Sequence, residues 1–403
     1  MDLPDDVILE ILIRFSLNQA GKIQTLSKFY NKTSYSFCYK TLISENHSQP
    51  ILDGFLLQSP KSKSNAHLLS FVSPHPNNNS PPLNLSLNFL PGLNPQIRAV
   101  APNGLLLCET QHSIRHNKRL IYTITKLSTQ QWKGLPIPKT RYFTSNIAMY
   151  VLRSNPLHFK ILRLSSDKIP SKRPLPFCYT ICEVFDSESW RWKQLDDIVH
   201  YYCGKTEYVD SQRAPVFAYG LAHWKFRDDT SIFAFDFYSE TWSKIAMPET
   251  IVNDKNNSSS SHFQRWHIEL VEYEGKLGVV REFHKPTVFT ELWVMENYGK
   301  KKMWMKKLDS SGSMPTTFYG SDIQMMWLHD DSSNVMFSNI ETGERNYKKS
   351  EQSHRHLPMV FPFLSDFETW NFNPPPRSIK PKAVSKILRR NDRCKLEELN
   401  LTC

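Results

Sequence analysis

One stretch decides the fold of most of the chain: Ile232-Phe233-Ala234-Phe235-Asp236-Phe237-Tyr238-Ser239-Glu240-Thr241-Trp242-Ser243-Lys244-Ile245. Its first five residues are rich in aromatic side chains and favour a strand. The polar residues that follow suit a tight turn. Trp242 then opens a second strand. The stretch therefore predicts a β-hairpin whose Trp covers the face of a neighbouring sheet.

The same order of strand, polar turn and Trp recurs at intervals of roughly fifty to sixty residues, which is close to the spacing of kelch-type propeller blades. The other copies begin at Ile121 (with Trp132), Ile181 (with Trp190 and Trp192), Leu292 (with Trp304) and Val335 (without a Trp). A single sheet of this kind cannot bury both faces, so the sheets must stack. A radial stack also protects strand edges. Residues 97–366 are predicted to form an all-β, propeller-like domain.

Residues 47–96 form a transitional segment in this prediction. Prolines interrupt it, and Asn77-Asn78-Asn79-Ser80 indicates a surface loop. The apolar pieces 51–57, 68–72 and 83–90 are expected to supply the first strands of the main body rather than a free linker.

The bulk composition is that of an ordinary globular chain, with 403 residues, 40% hydrophobic and 22% charged. No apolar run approaches the roughly twenty residues of a membrane helix, and the N-terminus lacks a targeting signal. We therefore expect a cytoplasmic or nuclear protein without a membrane partner. The seven cysteines follow no disulfide pattern. Cys178 and Cys182 are interpreted as buried thiols, with a metal site as the alternative.

The formal net charge is +11, and part of it lies in the tail, residues 367–403. A basic surplus can indicate nucleic acid, an anionic membrane or an acidic partner, and it can equally be a solvated tail. We favour the solvated tail. The basic residues of the tail are not interleaved with aromatic ones, and no nucleic-acid-recognition motif is visible. The sequence thus argues against a nucleic-acid partner.

The N-terminus predicts three short helices within residues 1–46. Pro4 suits a first helical turn, and Asp5 and Asp6 complement the helix dipole. Aliphatic and aromatic residues then follow at helical spacing up to Phe15. Because so small a unit cannot bury its own core, it must lean on a partner or on the rest of the chain.

Leu3-Pro4-Asp5-Asp6, followed by Ile8-Leu9-Glu10-Ile11-Leu12-Ile13-Arg14-Phe15, resembles the plant F-box, and Leu26 and Lys28 fit its second half. The chain departs from that pattern at Ser16, Ser27 and Tyr30, where the family has Pro, Cys and Trp. Later stretches resemble the plant F-box-associated domain in the same order: Pro102–Cys108, Tyr219–Trp224, Ile232–Asp236, Gly275–Val280 and Glu291–Met295.

The resemblance implies an α+β multidomain protein, with a small three-helix F-box followed by an all-β propeller-like domain. It implies a substrate-recognition subunit of a Skp–cullin–F-box ubiquitin ligase. The partners would be the Skp-type adaptor, through it the cullin and RING subunits, and an unknown target protein. The expected adaptor-binding residues are Leu3, Pro4, Ile8, Leu9, Ile11, Leu12, Leu26 and Tyr30. The alternative is a propeller interaction module whose degenerate F-box no longer joins a ligase.

No catalytic, cofactor or metal-binding residues are predicted. The pairs His112/His116 and His354/His356 lack partner carboxylates at useful spacing. His223 is interpreted as a satisfied core or rim histidine, and Asp186 and Asp236 as acceptors for turn N–H groups. A propeller enzyme such as a glycan hydrolase stays open as a rival, because carboxylates could cluster in the central channel.

Overall fold

The computed structural model describes residue 7 and residues 52–60, 67–74, 85–101, 104–114, 117–154, 156–166, 177–201, 214–226, 230–257, 267–284, 288–298, 302–311, 315–327, 334–349, 358–365 and 369–372. The chain divides into two compact units, residues 1–372 and residues 373–403, and all described residues belong to the first. Apart from Val7, which is helical, the predicted three-helix unit over residues 1–46 lies outside the described part. No helix among the described residues is both long and apolar enough to span a membrane.

The described part is built almost entirely of strands. In chain order they are β1 (Leu52–Pro60), β2 (His67–Val72), β3 (Leu93–Val100), β4 (Leu105–Ile114), β5 (Asn117–Lys126), β6 (Gln131–Gly134), β7 (Phe143–Ser154), β8 (Leu157–Ser166), β9 (Phe177–Asp186), β10 (Arg191–Gln194), β11 (Ile198–Tyr201), β12 (Val216–Ala218), β13 (Leu221–Lys225), β14 (Ser231–Asp236), β15 (Thr241–Ala246), β16 (His267–Tyr273), β17 (Lys276–His284), β18 (Val288–Asn297), β19 (Met303–Ser311), β20 (Thr317–Tyr319), β21 (Ile323–Trp327), β22 (Asn334–Asn339), β23 (Arg345–Lys349) and β24 (Met359–Ser365). One helix, α1 (Glu249–Asn257), lies between β15 and β16 in the described residues.

These strands form six antiparallel sheets. Five are meanders that begin at β3, β7, β12, β16 and β20; in the second, β10 and β11 pair one after the other with β9 as a fourth strand broken at residues 195–197. First strands of adjacent sheets contact one another, as in β24 with β3, β3 with β7, β12 with β16 and β16 with β20. The arrangement is a six-bladed propeller, which confirms the all-β propeller prediction. Blades 1 to 5 are numbered from the sheet of β3.

Blade 6 closes the ring by joining the two ends of the propeller. It runs β24-β1-β2, so a strand from near the C-terminus pairs with one from the N-terminal side, with Leu52 opposite Ser365. Gln58 fastens this blade to β3: its side chain donates to the Ile97 carbonyl at 2.9 Å and accepts from the Ile97 N–H at 2.7 Å. Of the strands predicted within the transitional segment 47–96, the pieces 51–57 and 68–72 correspond to β1 and β2 of the closing blade. The prediction for 83–90 is wrong, because its described residues 85–90 form no strand.

The propeller has two unlike faces, which follow from four antiparallel strands per blade. Short turns join first to second strands and third to fourth strands, as at residues 219–220 and 187–190; we call this side the turn face. Mostly longer connections join second to third strands and successive blades, as at residues 135–142; we call this side the loop face. Because β1 runs antiparallel to the inner strand β24, Leu52 lies at the turn face.

The turns between third and fourth strands, on the turn face, share a backbone conformation. The residue before the outer strand takes a left-handed conformation in three blades, at Gln130, Trp190 and Glu240, with φ of 52 to 55°. In blade 5 the left-handed residue is Gly343, two positions before β23, with φ 71°. The polar residue that starts the turn accepts hydrogen bonds from N–H groups further on, as Asp236 does from Tyr238 at 2.7 Å. A residue in the αL conformation at this position helps to return the chain into a hairpin with the correct twist.

The predicted role of the repeated Trp is confirmed in some blades and wrong in others. In blade 2, Trp192 is 4% exposed and its indole N–H donates to the Pro136 carbonyl before that blade at 2.7 Å. The indole of Trp304 likewise reaches back to Ala246 at 3.1 Å. Trp132 and Trp242 are instead 45% and 41% exposed, and Trp242 stacks on Phe233 of its own blade. An outer strand has no further strand beside it, so its Trp is covered only where the neighbouring connection approaches.

Candidate binding surfaces

A buried ion pair ties the connection between blades 1 and 2 to the body of blade 2. Arg163 on β8 stands opposite Glu183 on β9, and the two side chains are 4% and 0% exposed. The Arg163 guanidinium donates to the Glu183 carboxylate and, through Nε, to the Thr144 hydroxyl at 2.7 Å. Tyr122 of blade 1 shares a 2.7 Å hydrogen bond with the same hydroxyl. A charge pair so deeply buried persists because nearly all of its polar atoms have partners.

The connection itself, residues 135–142, is held by alternate residues. Thr140 donates to Glu183 twice, from its N–H at 3.0 Å and from its hydroxyl at 2.7 Å. The Tyr142 carbonyl accepts from Arg163, and the Pro136 carbonyl accepts from Trp192. Polar atoms of the even-numbered residues 136, 140 and 142 thus form hydrogen bonds with blade 2.

The odd-numbered positions face outward. Ile137 is 50% exposed and Phe143, the first residue of β7, is 56% exposed. Lys139 and Arg141 between them are also exposed. We call these four side chains the Ile137–Phe143 strip. It crosses the loop face from the outer strand of blade 1 to the inner strand of blade 2.

A central cavity of about 140 Å³ lies among the inner strands β12, β16, β20 and β24. Apolar side chains and strand edges dominate its lining, but four carboxylates also contribute: Asp53, Glu269, Glu272 and Glu274. Asp53 is 6% exposed and accepts a hydrogen bond from the Tyr319 hydroxyl. Glu269 is 2.6 Å from the ring of His267. The channel is therefore mixed in character, neither wholly apolar nor blocked.

Its size bears on the glycan hydrolase rival. Pockets for ligands of drug size are about 300–1,000 Å³. The cavity of about 140 Å³ lies below the range for ligands of drug size. In the described residues, no group of three or more His, Cys, Asp or Glu side chains could hold a metal ion.

The rims of the blades are basic. Outer strands carry exposed cations, including Arg191 and Lys193 on β10, Lys306 on β19 and Arg345 on β23. Lysine and arginine on an edge strand oppose pairing with another chain. Part of the +11 net charge therefore protects strand edges, a role that the sequence interpretation, centred on the tail, did not identify.

Other charged groups join blades or strands. Lys160 of blade 2 donates to Glu240 of blade 3 at 2.7 Å and to the Phe237 carbonyl at 3.0 Å. In blade 4, Glu291 accepts from Arg281 at 2.6 Å. Burial alone would raise the pKa of Glu291, but hydrogen bonds from Lys306 and Arg281 hold it below its usual value. These contacts give structural roles to the carboxylates involved.

The interpretation of His223 is confirmed. It is fully buried, with Nδ1 3.2 Å from the Val216 carbonyl and Nε2 3.1 Å from the Tyr298 hydroxyl. Burial lowers the pKa of this histidine to about 4, so the ring is neutral at physiological pH. A neutral ring donates from Nδ1 to the carbonyl and accepts from Tyr298 at Nε2.

The acidic turn residues and the Cys182 thiol also behave as predicted. Asp186 and Asp236 accept from turn N–H groups, those of Glu188 at 2.9 Å and Tyr238 at 2.7 Å. Burial alone would raise the pKa of Asp186, but its hydrogen bonds with His158 and the Glu188 N–H lower it. Cys182 is a free, buried thiol, and burial raises its pKa to about 12.

Several predicted positions fall outside the described part. These are the adaptor-binding set, Leu3, Pro4, Ile8, Leu9, Ile11, Leu12, Leu26 and Tyr30, and the histidines His116, His354 and His356, together with the side chains of His112 and Cys178. The sequence reading missed the Ile137–Phe143 strip. Its signal was present as Pro136-Ile137-Pro138-Lys139, because each proline keeps the residue before it out of the helical region and so marks an exposed connection.

The protein is a β-propeller. Its six antiparallel blades surround a channel, and the ring is closed by a sheet whose strands come from both ends of the domain. The family model of the F-box associated beta propeller domain matches residues 56–347. F-box protein At5g49610 of Arabidopsis thaliana is 25% identical over 307 residues, which cover 73% of this chain and 75% of that protein. The chain therefore belongs to the plant F-box proteins that carry an F-box-associated propeller domain.

The chain is also similar to a second relative and, at low identity, to solved structures. F-box protein At5g41720, also of Arabidopsis thaliana, is 33% identical over 164 residues, which cover 40% of this chain and 84% of that protein. Among solved structures, one chain of a nidogen/laminin complex aligns with a TM-score of 0.37 and 9% identity, over 78% of this chain and 99% of that one.

Proposed function

We propose that this protein is the substrate-recognition subunit of a Skp–cullin–F-box ubiquitin ligase. The observation that carries the proposal is the order of parts: an N-terminal stretch that resembles an F-box precedes a propeller matched over residues 56–347 by the F-box-associated family. The N-terminal region would dock on the Skp-type adaptor, and through it on the cullin and RING subunits. The propeller would bind a target protein.

The propeller suits a binding role on physical grounds. Its blades bury their apolar faces against one another, and its rims carry edge-protecting cations. What it offers a partner is therefore its two faces, which turns and loops build on a rigid scaffold. The mechanism would be proximity: holding a target near a charged ubiquitin carrier raises the effective concentration of the reacting groups.

The test of adaptor docking uses two substitutions in the predicted set, Leu9→Asp and Ile11→Asp. A buried charge in a desolvated hydrophobic contact costs several kcal/mol as an order of magnitude, so each variant is expected to lose the Skp-type adaptor in a pull-down with purified full-length protein. Leu93→Asp is the matched control, because Leu93 is 59% exposed on the propeller; this variant should still bind.

Retention of the adaptor by both F-box variants would contradict the assigned surface. Failure of the unsubstituted chain to bind would favour the alternative, a propeller interaction module with a degenerate F-box. The motive for that alternative is the sequence departure at Ser16, Ser27 and Tyr30.

We also infer that the chain catalyses no reaction itself. The support is the small volume of the central cavity and the hydrogen bonds that already engage Asp53 and Glu269. Hydrolysis of a nitrophenyl glycoside by the purified protein, lost on Glu269→Gln, would overturn this inference.

A further inference from the structure

The chain that follows the closing strand β24 is bonded to the turn face of blade 1. Ser365, the last residue of β24, has its hydroxyl oxygen 3.3 Å from that of Ser128, in the turn between β5 and β6. Further on, the Trp370 N–H donates to the side-chain oxygen of Gln131, the first residue of β6, at 2.9 Å. The C-terminal end of blade 6 is thus connected to one turn of the neighbouring blade.

The Trp370 side chain is part of the core between blades 1 and 2. It is 5% exposed and belongs to the same apolar cluster as Leu105 and Ile124 of blade 1 and Phe185 of blade 2. Phe372 packs against this cluster as well. A segment that comes after the last strand of blade 6 therefore fills part of the interface between two other blades.

We call residues 369–372 the C-terminal clasp. They are the last residues of the first compact unit, and they lie beyond residue 347, where the family match ends. Terminal segments of a domain are poorly ordered unless something ties them down. Here the clasp ties the end of β24 to blades 1 and 2, in addition to the pairing of β24 with β1 that closes the ring.

Two polar groups at the clasp are buried. Lys126 is fully buried, with Nζ 5.2 Å from the centroid of the Trp370 ring. The indole N–H of Trp370 is buried too, and it has no hydrogen-bond partner among the described residues. The ammonium is attracted to the ring face, but taking an ammonium and an indole N–H out of water opposes closure. We therefore expect the clasp to open at a lower free energy than the whole propeller unfolds.

We propose that the C-terminal clasp is a conformational device that controls the opening of the ring. When it is closed, as in this structure, Trp370 holds the end of β24 against blades 1 and 2. When it opens, β24 keeps its pairing with β1 and its contacts with β3, and the ring can then separate at this junction while blades 3 and 4 stay folded. The inference does not rest on the proposed function, because every contact involved lies within the first compact unit.

The test is amide hydrogen exchange of the full-length protein, followed by mass spectrometry of its peptides. In Trp370→Ala, loss of the buried indole should speed exchange about tenfold or more in β24, in β1 and in residues 127–131. Exchange in β14 of blade 3 and β18 of blade 4 should stay as in the unsubstituted protein. Trp370→Phe keeps a buried ring and removes the unpaired N–H, so its exchange should stay close to that of the unsubstituted protein.

Two further variants sharpen the test. Gln131→Ala removes the acceptor for the Trp370 N–H and leaves the indole in place, so exchange should rise only about fivefold, in the same peptides. Trp242→Ala is the matched control, because Trp242 is 41% exposed and stacks on Phe233 of its own blade. It should leave exchange in β24 and β1 unchanged.

Unchanged exchange of β24 and β1 in Trp370→Ala would overturn the proposal. So would an equal rise in all six blades, since Trp370 would then be a core residue with no local role, and so would an equal rise in Trp242→Ala. Circular dichroism shows whether each variant folds. If Trp370→Ala does not fold, Gln131→Ala decides: faster exchange confined to β24, β1 and residues 127–131 supports the clasp, and unchanged exchange there overturns it.

Discussion

Glu183→Ala is expected to lower the free energy of unfolding by about 3–5 kcal/mol. The substitution leaves the Arg163 guanidinium, 4% exposed, buried without its counter-charge. It also removes the acceptor for the Thr140 N–H and hydroxyl, and the net contribution of each such hydrogen bond is about 1 kcal/mol. Thermal or urea unfolding followed by circular dichroism measures the change.

The matched control is Glu188→Ala in the same blade. Glu188 also pairs with an arginine, Arg153 at 2.8 Å, but its side chain is 46% exposed. Exposed pairs contribute roughly 0–1 kcal/mol, so this variant should unfold close to the unsubstituted protein. A further arm, Arg163→Met combined with Glu183→Leu, removes both charges and should recover part of the loss. Equal small effects of Glu183→Ala and Glu188→Ala would show that the buried pair does not stabilise the fold.

Gly104→Ala is expected to destabilise the propeller at its closure by about 2–5 kcal/mol, from two sources. Gly104 has φ +78°, where a side chain costs about 1–2 kcal/mol. A Cβ there would also lie 2.4 Å from the Ser365 Cβ and 3.0 Å from the Leu364 carbonyl oxygen, at the end of the closing strand β24. Overpacking of this kind costs about 1–3 kcal/mol.

Gly343→Ala measures the cost of the left-handed backbone conformation alone. Gly343 has φ +71°, yet a Cβ at this position would meet nothing within 4 Å. It should therefore lose only the roughly 1–2 kcal/mol of left-handed strain. Adding Ser365→Gly to Gly104→Ala removes the closest contact and should restore part of the stability. If the two glycine variants unfold at the same midpoint, the contact between a Cβ at position 104 and strand β24 adds nothing to the destabilisation.

The propeller could be predicted because each repeat depends on residues that are close together in the sequence. Alternation, aromatic strands and Asx turns act within one hairpin, so residues 232–245 show their structure without reference to distant residues. The turn role of Asp236 and the buried position of His223 could also be predicted from the neighbouring sequence. The blade to which a segment belongs could not be read in this way: β1 pairs with β24 across some three hundred residues, and no local signal specifies such a contact.

The same distinction between local and distant residues applies to the functional surfaces. The F-box resemblance lies in consecutive residues and needs no fold to be recognised. The Ile137–Phe143 strip exists only because Arg163 and Glu183, distant in sequence from Pro136, bond to one side of the connection and turn the other side outward.

The sequence by itself determined the strand-turn-strand unit, its repetition and the family, because each depends on spacing between near neighbours. The tertiary structure decided the number of blades, the closure by β24 and β1, the exposure of Trp132 and Trp242 and the presentation of Lys139 and Arg141. These features depend on which surfaces meet when the blades pack, and burial is a property of the assembled ring rather than of any one segment.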